Sequence, residues 1–154
     1  MAAQGDMRSS TRFRVGVFGV IERDGRFLLA RRSDIGWWNL PGGGLEHGET
    51  PEEGLTREVR EEIAASVSVV RLVGVYAKPQ KDEIVLVYLC RLTPDSPPPG
   101  TSDEVSEVAW VTPDALPENT LPKHAERLRD AAAGQAAPFL RAQRTSTTED
   151  QRLR

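Results

Sequence analysis

Apolar residues recur along this chain in two different periods. From Arg12 to Glu22, Val15, Val17, Val20 and Ile21 alternate enough with small and polar neighbours to predict a strand. Asp24-Gly25 is a hairpin turn signal, and Arg26 to Arg32 is predicted as the partner strand. On that second strand Leu28 and Ala30 share one face, while Phe27, Leu29 and Arg31 share the other. The period then changes. Leu55, Val59 and Ile63 recur at i, i+4 and i+8, the apolar stripe of a helix. Thr50 supplies an N-cap, Pro51 suits the first helical position, and Glu53 completes a capping box. Val67 to Tyr76 and Glu83 to Leu92 are predicted as strands, with Lys78-Pro79-Gln80-Lys81-Asp82 as the turn between them. The run Ile84 to Cys90 is apolar at every position, which predicts a central strand covered on both faces. A short strand over Val108 to Val111 follows. A second amphipathic helix from Pro122 to Ala133 is expected to face Leu128 and Ala132 inward, with Gly134 ending it.

Between these elements, Pro97-Pro98-Pro99-Gly100 marks a stiff surface loop. Residues 1–11 and 142–154 are small and polar and are expected to be disordered tails, leaving one domain over 12–141. A chain of 154 residues can bury about two-thirds of its unfolded surface around one core. A net charge of −3 gives no basic footprint for duplex nucleic acid. No stretch approaches the roughly 18 apolar residues of a membrane span, and the first residues lack the charged and apolar regions of a signal peptide. Cys90 is the single cysteine, so no internal disulfide can form, and its apolar surroundings suggest a buried, inert thiol. A soluble cytoplasmic protein is the expectation.

The chemistry concentrates between Trp38 and Ala65. Glu58, Glu61 and Glu62 are three and four residues apart, so they share one helix face, separate from the Leu55 stripe. Three crowded carboxylates repel one another unless a cation lies between them. Oxygen-only ligands favour hard ions such as Mg²⁺, Mn²⁺ or Ca²⁺. Such triplets also occur as ordinary solvated helix surface. The fixed helix start and the glycine-rich segment leading into it, Leu40-Pro41-Gly42-Gly43-Gly44, favour the metal site.

Gly43, five residues, Glu49, seven residues, then Arg57-Glu58-Val59-Arg60-Glu61-Glu62 resembles the Nudix box of the Nudix hydrolases. Its lead-in is Trp38-Asn39-Leu40-Pro41-Gly42-Gly43. The sequence departs from the pattern at Ala64, where the family has a glycine, and places the small Ala65 where a larger hydrophobic residue is usual. Glycine there permits a left-handed helix exit. Alanine either accepts that conformation at a cost of about 1 kcal/mol or lets the helix run on.

The resemblance covers roughly Phe13 to Gly134 and implies an α/β (α+β) fold, the Nudix α/β/α sandwich with a mixed β-sheet between helices. It implies hydrolysis of a phosphoanhydride bond in a nucleoside diphosphate linked to another moiety, a nucleoside triphosphate or an ADP-ribose-like compound, with Mg²⁺ or Mn²⁺. By position in the motif, Glu58, Glu61 and Glu62 resemble the metal-binding glutamates, and Gly43 the glycine whose carbonyl joins them. Glu58 also resembles a residue that serves as base in some members. Arg57 resembles the arginine that orients the glutamates, and Glu49 one that supports the loop. Glu104 lies where several members place an extra carboxylate ligand or base; the alternative is a solvated loop residue. Among ADP-sugar members a homodimer is common, although no stretch here specifies an interface.

Around the box, Arg31 and Arg32 end the second strand. They are edge-strand charges or, since many Nudix enzymes carry a basic residue here, contacts for substrate phosphate through arginine's forked donors. Trp37 and Trp38 are adjacent, so one is expected in the core and one partly exposed, where an indole could stack a base or sugar. His47 reads as exposed loop polarity and His124 as surface. The two functions in play are a metal-dependent pyrophosphohydrolase and a non-catalytic Nudix-fold sensor of a nucleotide or nucleotide-sugar. Retention of every box glutamate favours the first.

Overall fold

The computed structural model describes residues 12–152. A hairpin opens the chain: β1 (Arg14–Arg23) turns through Asp24 and Gly25, both at positive φ, into β2 (Arg26–Arg32). Two short strands, β3 (Trp38–Asn39) and β4 (Gly42–Gly44), lead to helix α1 (Pro51–Ile63). After it come β5 (Val67–Lys78), a single 3₁₀ turn over Pro79–Lys81, β6 (Glu83–Leu92) and β7 (Val105–Val111). Helix α2 (Pro122–Ala132), β8 (Phe139–Ala142) and helix α3 (Thr147–Arg152) complete the fold.

The strands form one mixed sheet in the order β3-β2-β1-β6-β5-β8, with β4 on β1 and β7 on β2. β1 and β6 run parallel, as do β5 and β8, while β5–β6 and β2–β7 are antiparallel. β6 is central, as its apolar run predicts. Val85, Val87 and Leu89 join one core with Val20, Phe27, Leu29, Trp38, Leu40 and Tyr76, closed by Leu128 and Ala131 of α2. Val17, Ile21, Leu28 and Ala30 face the other way and meet Leu55, Val59 and Ile63 of α1. The two faces of β2 thus serve opposite layers, helix over sheet over helix.

Two details of register differ from expectation. α2 turns Ala131 inward and leaves Ala132 exposed, and β7 begins three residues before Val108. The larger correction is the C-terminus. Residues 143–152, expected as a disordered tail from 142, pack on the domain. β8 adds a parallel strand to β5. Arg127, almost wholly buried, donates from Nε and Nη2 to Gln143 Oε1 at 3.1 and 2.9 Å. Lys123 and Asp150, both buried, pair at 3.0 Å. Asp130 accepts from Arg141 at 2.7 and 2.8 Å and from the Tyr76 hydroxyl at 2.8 Å. Partners far apart in sequence, rather than an apolar pattern, hold this segment. The tail expected over 1–11 lies outside the described residues.

α1 starts as its residues direct: the Thr50 hydroxyl oxygen accepts the Glu53 N–H at 3.2 Å and Pro51 occupies the first turn. At its exit Ala64 accepts the left-handed conformation, φ 57° and ψ 27°, and its N–H donates to the Arg60 carbonyl at 3.0 Å. The helix stops where the family's glycine would stop it. Ala64→Gly is therefore expected to stabilise the protein by about 1 kcal/mol, less what a more flexible unfolded chain returns. For a chain of this size that is a rise of roughly 2–4 °C in Tm, read by thermal unfolding.

Candidate active site

β1, β4 and α1 meet at the carboxyl side of the glycine-rich segment. Gly16, Val17 and Phe18 of β1 pair with Gly44, Gly43 and Gly42. Gly42 sits at φ 150°, and a Cβ there would collide with the Val17 carbonyl and the Phe18 Cα. A Cβ on Gly43 would lie 2.7 Å from the Glu58 carboxylate. Only glycines let this backbone pass so close to the helix carboxylates.

Arg57 ties the loop to the helix. Its Nε and Nη2 take both oxygens of Glu49 at 2.6 and 2.9 Å, and Nη2 also reaches the Gly44 carbonyl at 3.1 Å. Its Nη1 donates to Glu58 at 3.0 Å and to Glu61 at 3.3 Å. Glu49 in turn accepts the Glu46 N–H at 2.9 Å. Arg57 holds the Glu49 carboxyl below the usual carboxylate range, and Glu49 first among its partners raises the guanidinium's own pKa.

Glu62, like Glu58, is partly buried, whereas Glu61 is exposed. Oε2 of Glu62 accepts the Gly42 N–H at 3.3 Å. Burial, the adjoining Glu58 carboxyl and the charge of Glu104 push its pKa up to about 8, against the lowering influence of the Gly42 N–H. Like charges face each other here in a partly dry place.

These groups open on a cavity of about 830 Å³. Glu46, Arg57, Glu58, Glu61, Glu62 and Gly43 line one side, and Asp103, Glu104 and Val105 of the loop before β7 line another. Phe18, Asn39, Arg32, Ser33 and Asp34 complete the wall. Glu104 is brought to the cavity by its carbonyl, which accepts the Ser33 N–H at 2.9 Å. Among the described residues no three acidic, imidazole or thiol side chains are arranged as a ready metal cage. Glu58 and Glu61 are turned onto Arg57 instead, and Glu61 stands at the exposed rim. The donor set nevertheless fits a hard divalent cation: it is all oxygen, and Glu58, Glu62 and Glu104 lie close enough together to disfavour the charged form of Glu62, a crowding that a cation would relieve.

The other candidates separate. Arg32 lines the cavity, gripped by Asp34 through Nε at 3.0 Å and Nη2 at 2.6 Å, which lowers the Asp34 pKa. Arg31 does not line it, donating instead to the Gly36 carbonyl at 2.9 Å and meeting Glu107 at 3.5 Å. Its side chain holds the 33–37 loop. Trp38, raised as a stacking platform, belongs to the core with 8% exposure; Trp37 is half-buried and does not line the cavity. Trp38 opens β3 and Trp37 belongs to the loop before it, so the two indoles have different surroundings. His124, expected at the surface, is buried. Burial also pushes the Cys90 thiol up to about 12. The sequence carries no signal for Phe18 and Asp34 as site residues; Asn39 occupies the unspecified position of the box lead-in, and Asp103 adjoins Glu104.

A model of the NUDIX domain matches residues 10–132. The chain belongs to the Nudix hydrolase family. A MutT-like protein of Streptomyces ambofaciens is 45% identical over 128 residues, covering 82% of this chain and 81% of that one. A protein of Escherichia coli named nucleoside triphosphatase NudI is 32% identical over 121 residues, 68% of this chain and 86% of its own. Among solved structures, a Nudix hydrolase of Nitrosomonas europaea superposes with a TM-score of 0.75 at 26% identity, covering 87% of this chain and 80% of that chain. In this Nudix hydrolase the box thus supplies the acidic wall of the cavity, and no helix among the described residues is long and apolar enough to cross a membrane.

Proposed function

We propose that this Nudix hydrolase cleaves a phosphoanhydride bond in a nucleoside diphosphate linked to another moiety, with a nucleoside triphosphate as the favoured substrate and Mg²⁺ or Mn²⁺ as cofactor. One observation carries the reading: Glu58, Glu61, Glu62 and Glu104, from two distant parts of the chain, line a single cavity. The name of the Escherichia coli relative supports the triphosphate choice.

Glu58, Glu61 and Glu62, with the Gly43 carbonyl, would hold the cation. When bound, it supplies charge neutralisation for the phosphates and acidifies the attacking water. Arg57 keeps the carboxylates aimed, Glu58 and Glu61 directly and the loop through Glu49 and Gly44. Arg32 meets a substrate phosphate at the opposite wall. Glu104, which lines the same cavity from the loop before β7, takes the proton from water as its oxygen attacks phosphorus and the anhydride P–O bond breaks.

A panel of nucleoside triphosphates and ADP-ribose-like compounds, assayed with Mg²⁺ and with Mn²⁺, tests this. Metal-dependent release of pyrophosphate or nucleoside monophosphate is expected. Absence of turnover on every compound at high enzyme concentration would sink the reading. Glu104→Gln is expected to lower kcat by about 10²- to 10⁴-fold while Mn²⁺ affinity stays near wild type; an unchanged kcat would place the base elsewhere.

A further inference from the structure

Helix α2 lies on the sheet face opposite the box helix, and its first turn carries a histidine that the reaction above does not use. His124 is 5% exposed. Its Nδ1 accepts the backbone N–H of Leu40 at 3.1 Å, so that nitrogen bears no proton. Its ring stands edge-on to Phe18, with centroids 5.1 Å apart and planes at 77°. Phe18 lines the cavity. Burial, then Arg127, Lys123, Lys78 and Arg32, hold the imidazole pKa well below its ordinary value. The acceptor is therefore retained at neutral pH.

Leu40 begins the segment that serves the box. Pro41 has no N–H, so between β3 and β4 the Leu40 amide is the only backbone donor. The Pro41 carbonyl accepts the Gly19 N–H at 2.9 Å. One residue on, the Gly42 N–H meets Glu62 at 3.3 Å, and Gly43 lies so near Glu58 that a Cβ there would be 2.7 Å from its carboxylate. His124 thus grips one end of a four-residue span whose other end touches two carboxylates of the site.

We propose that His124 is a positioning residue of the active site: by accepting the Leu40 N–H it sets where Gly42 and Gly43 meet Glu62 and Glu58. This rests on the reading of those glutamates as metal ligands. Partners one step removed from a metal commonly change affinity or activity by about 10- to 100-fold when lost. A displacement of the catalytic groups by a fraction of an ångström would act on kcat more than on substrate affinity.

The test uses His124→Leu, which removes the acceptor at comparable volume, and His124→Asn, which offers an amide oxygen near the place of Nδ1. Mn²⁺ affinity is measured by calorimetry without substrate, alongside kcat, KM and Tm. His124→Leu is expected to weaken Mn²⁺ binding and lower kcat by about tenfold each with KM little changed, and His124→Asn to restore most of both. Wild-type Mn²⁺ affinity and kcat in folded His124→Leu would overturn the proposal, and so would His124→Asn failing as fully as His124→Leu. Should His124→Leu not fold, amide exchange on the wild type decides. A Leu40 amide as protected as the β1–β6 ladder supports the anchor, and one exchanging like an exposed loop refutes it. A wild-type protein that binds no Mn²⁺ and turns over nothing instead overturns the metal-site reading, and the role of His124 with it.

Discussion

Glu62→Gln is expected to abolish turnover and, at the same time, to raise the melting temperature of the metal-free protein. The substitution keeps the shape of the side chain and an oxygen for the Gly42 N–H, which meets Glu62 at 3.3 Å. It removes a charge that burial, Glu58 and Glu104 all disfavour, as the pKa of about 8 records. Without a cation that charge is a liability, because its neighbours are carboxylates and its surroundings are partly dry. With a cation it is one of the proposed ligands. Turnover should fall about 10³-fold or more, equivalent to roughly 4 kcal/mol of transition-state stabilisation. In EDTA the variant should melt above wild type. With Mg²⁺ the order should reverse, since binding to the folded state stabilises only the protein that binds. Full activity, or equal Mg²⁺ stabilisation of both proteins, would show that the metal cluster is misassigned.

Arg57→Lys is the second large effect. Arg57 spans Glu49, Glu58, Glu61 and the Gly44 carbonyl, with contacts from 2.6 to 3.3 Å. A lysine ammonium keeps the charge but lacks the planar fork, so it can satisfy Glu49 or Glu58 and Glu61, not all. The loop and helix would lose their common tie, and the carboxylates would repel into new positions. We expect kcat/KM to fall about 10²-fold, since catalytic groups displaced by about 1 Å can cost that much. Stability should fall by about 1.5–3 kcal/mol, the range for hydrogen bonds to charged groups, giving a Tm lower by several degrees. A lysine variant with wild-type kinetics would mean that charge alone, and not the geometry of the fork, organises the glutamates.

Legibility of the fold in the sequence followed the source of each element's stability. β1, β2 and α1 are specified locally, by alternation, a hairpin turn and a cap, and the structure has them within a residue or two of expectation. β6 is recognisable because a strand covered on both faces must be apolar throughout. The segment over 143–152 is polar, which by itself predicts disorder. Its place is set by Lys123–Asp150 and Arg127–Gln143, pairs formed only once α2 has packed. Buried ion pairs leave no periodic trace in a sequence.

The site divides in the same way. The spacing of Glu58, Glu61 and Glu62 on one turn of helix determined the acidic face, because helical geometry is local. The glycines at 42 and 43 could be read as close-approach positions, but only the packed structure shows that what approaches is Val17, Phe18 and the Glu58 carboxylate. Arg31 and Arg32 are identical residues in sequence terms; strand alternation and the return of β7 send one to the Gly36 carbonyl and the other to the cavity. Glu104, Phe18 and His124 gained their relation to the box from contacts across more than twenty residues of chain. By itself, then, the sequence determined the family, the layered fold and the acidic box, all carried by short-range patterns. Tertiary structure alone decided which arginine lines the cavity, which tryptophan is core, and which distant groups lie against the glycine segment, because those relations exist only where separate elements pack.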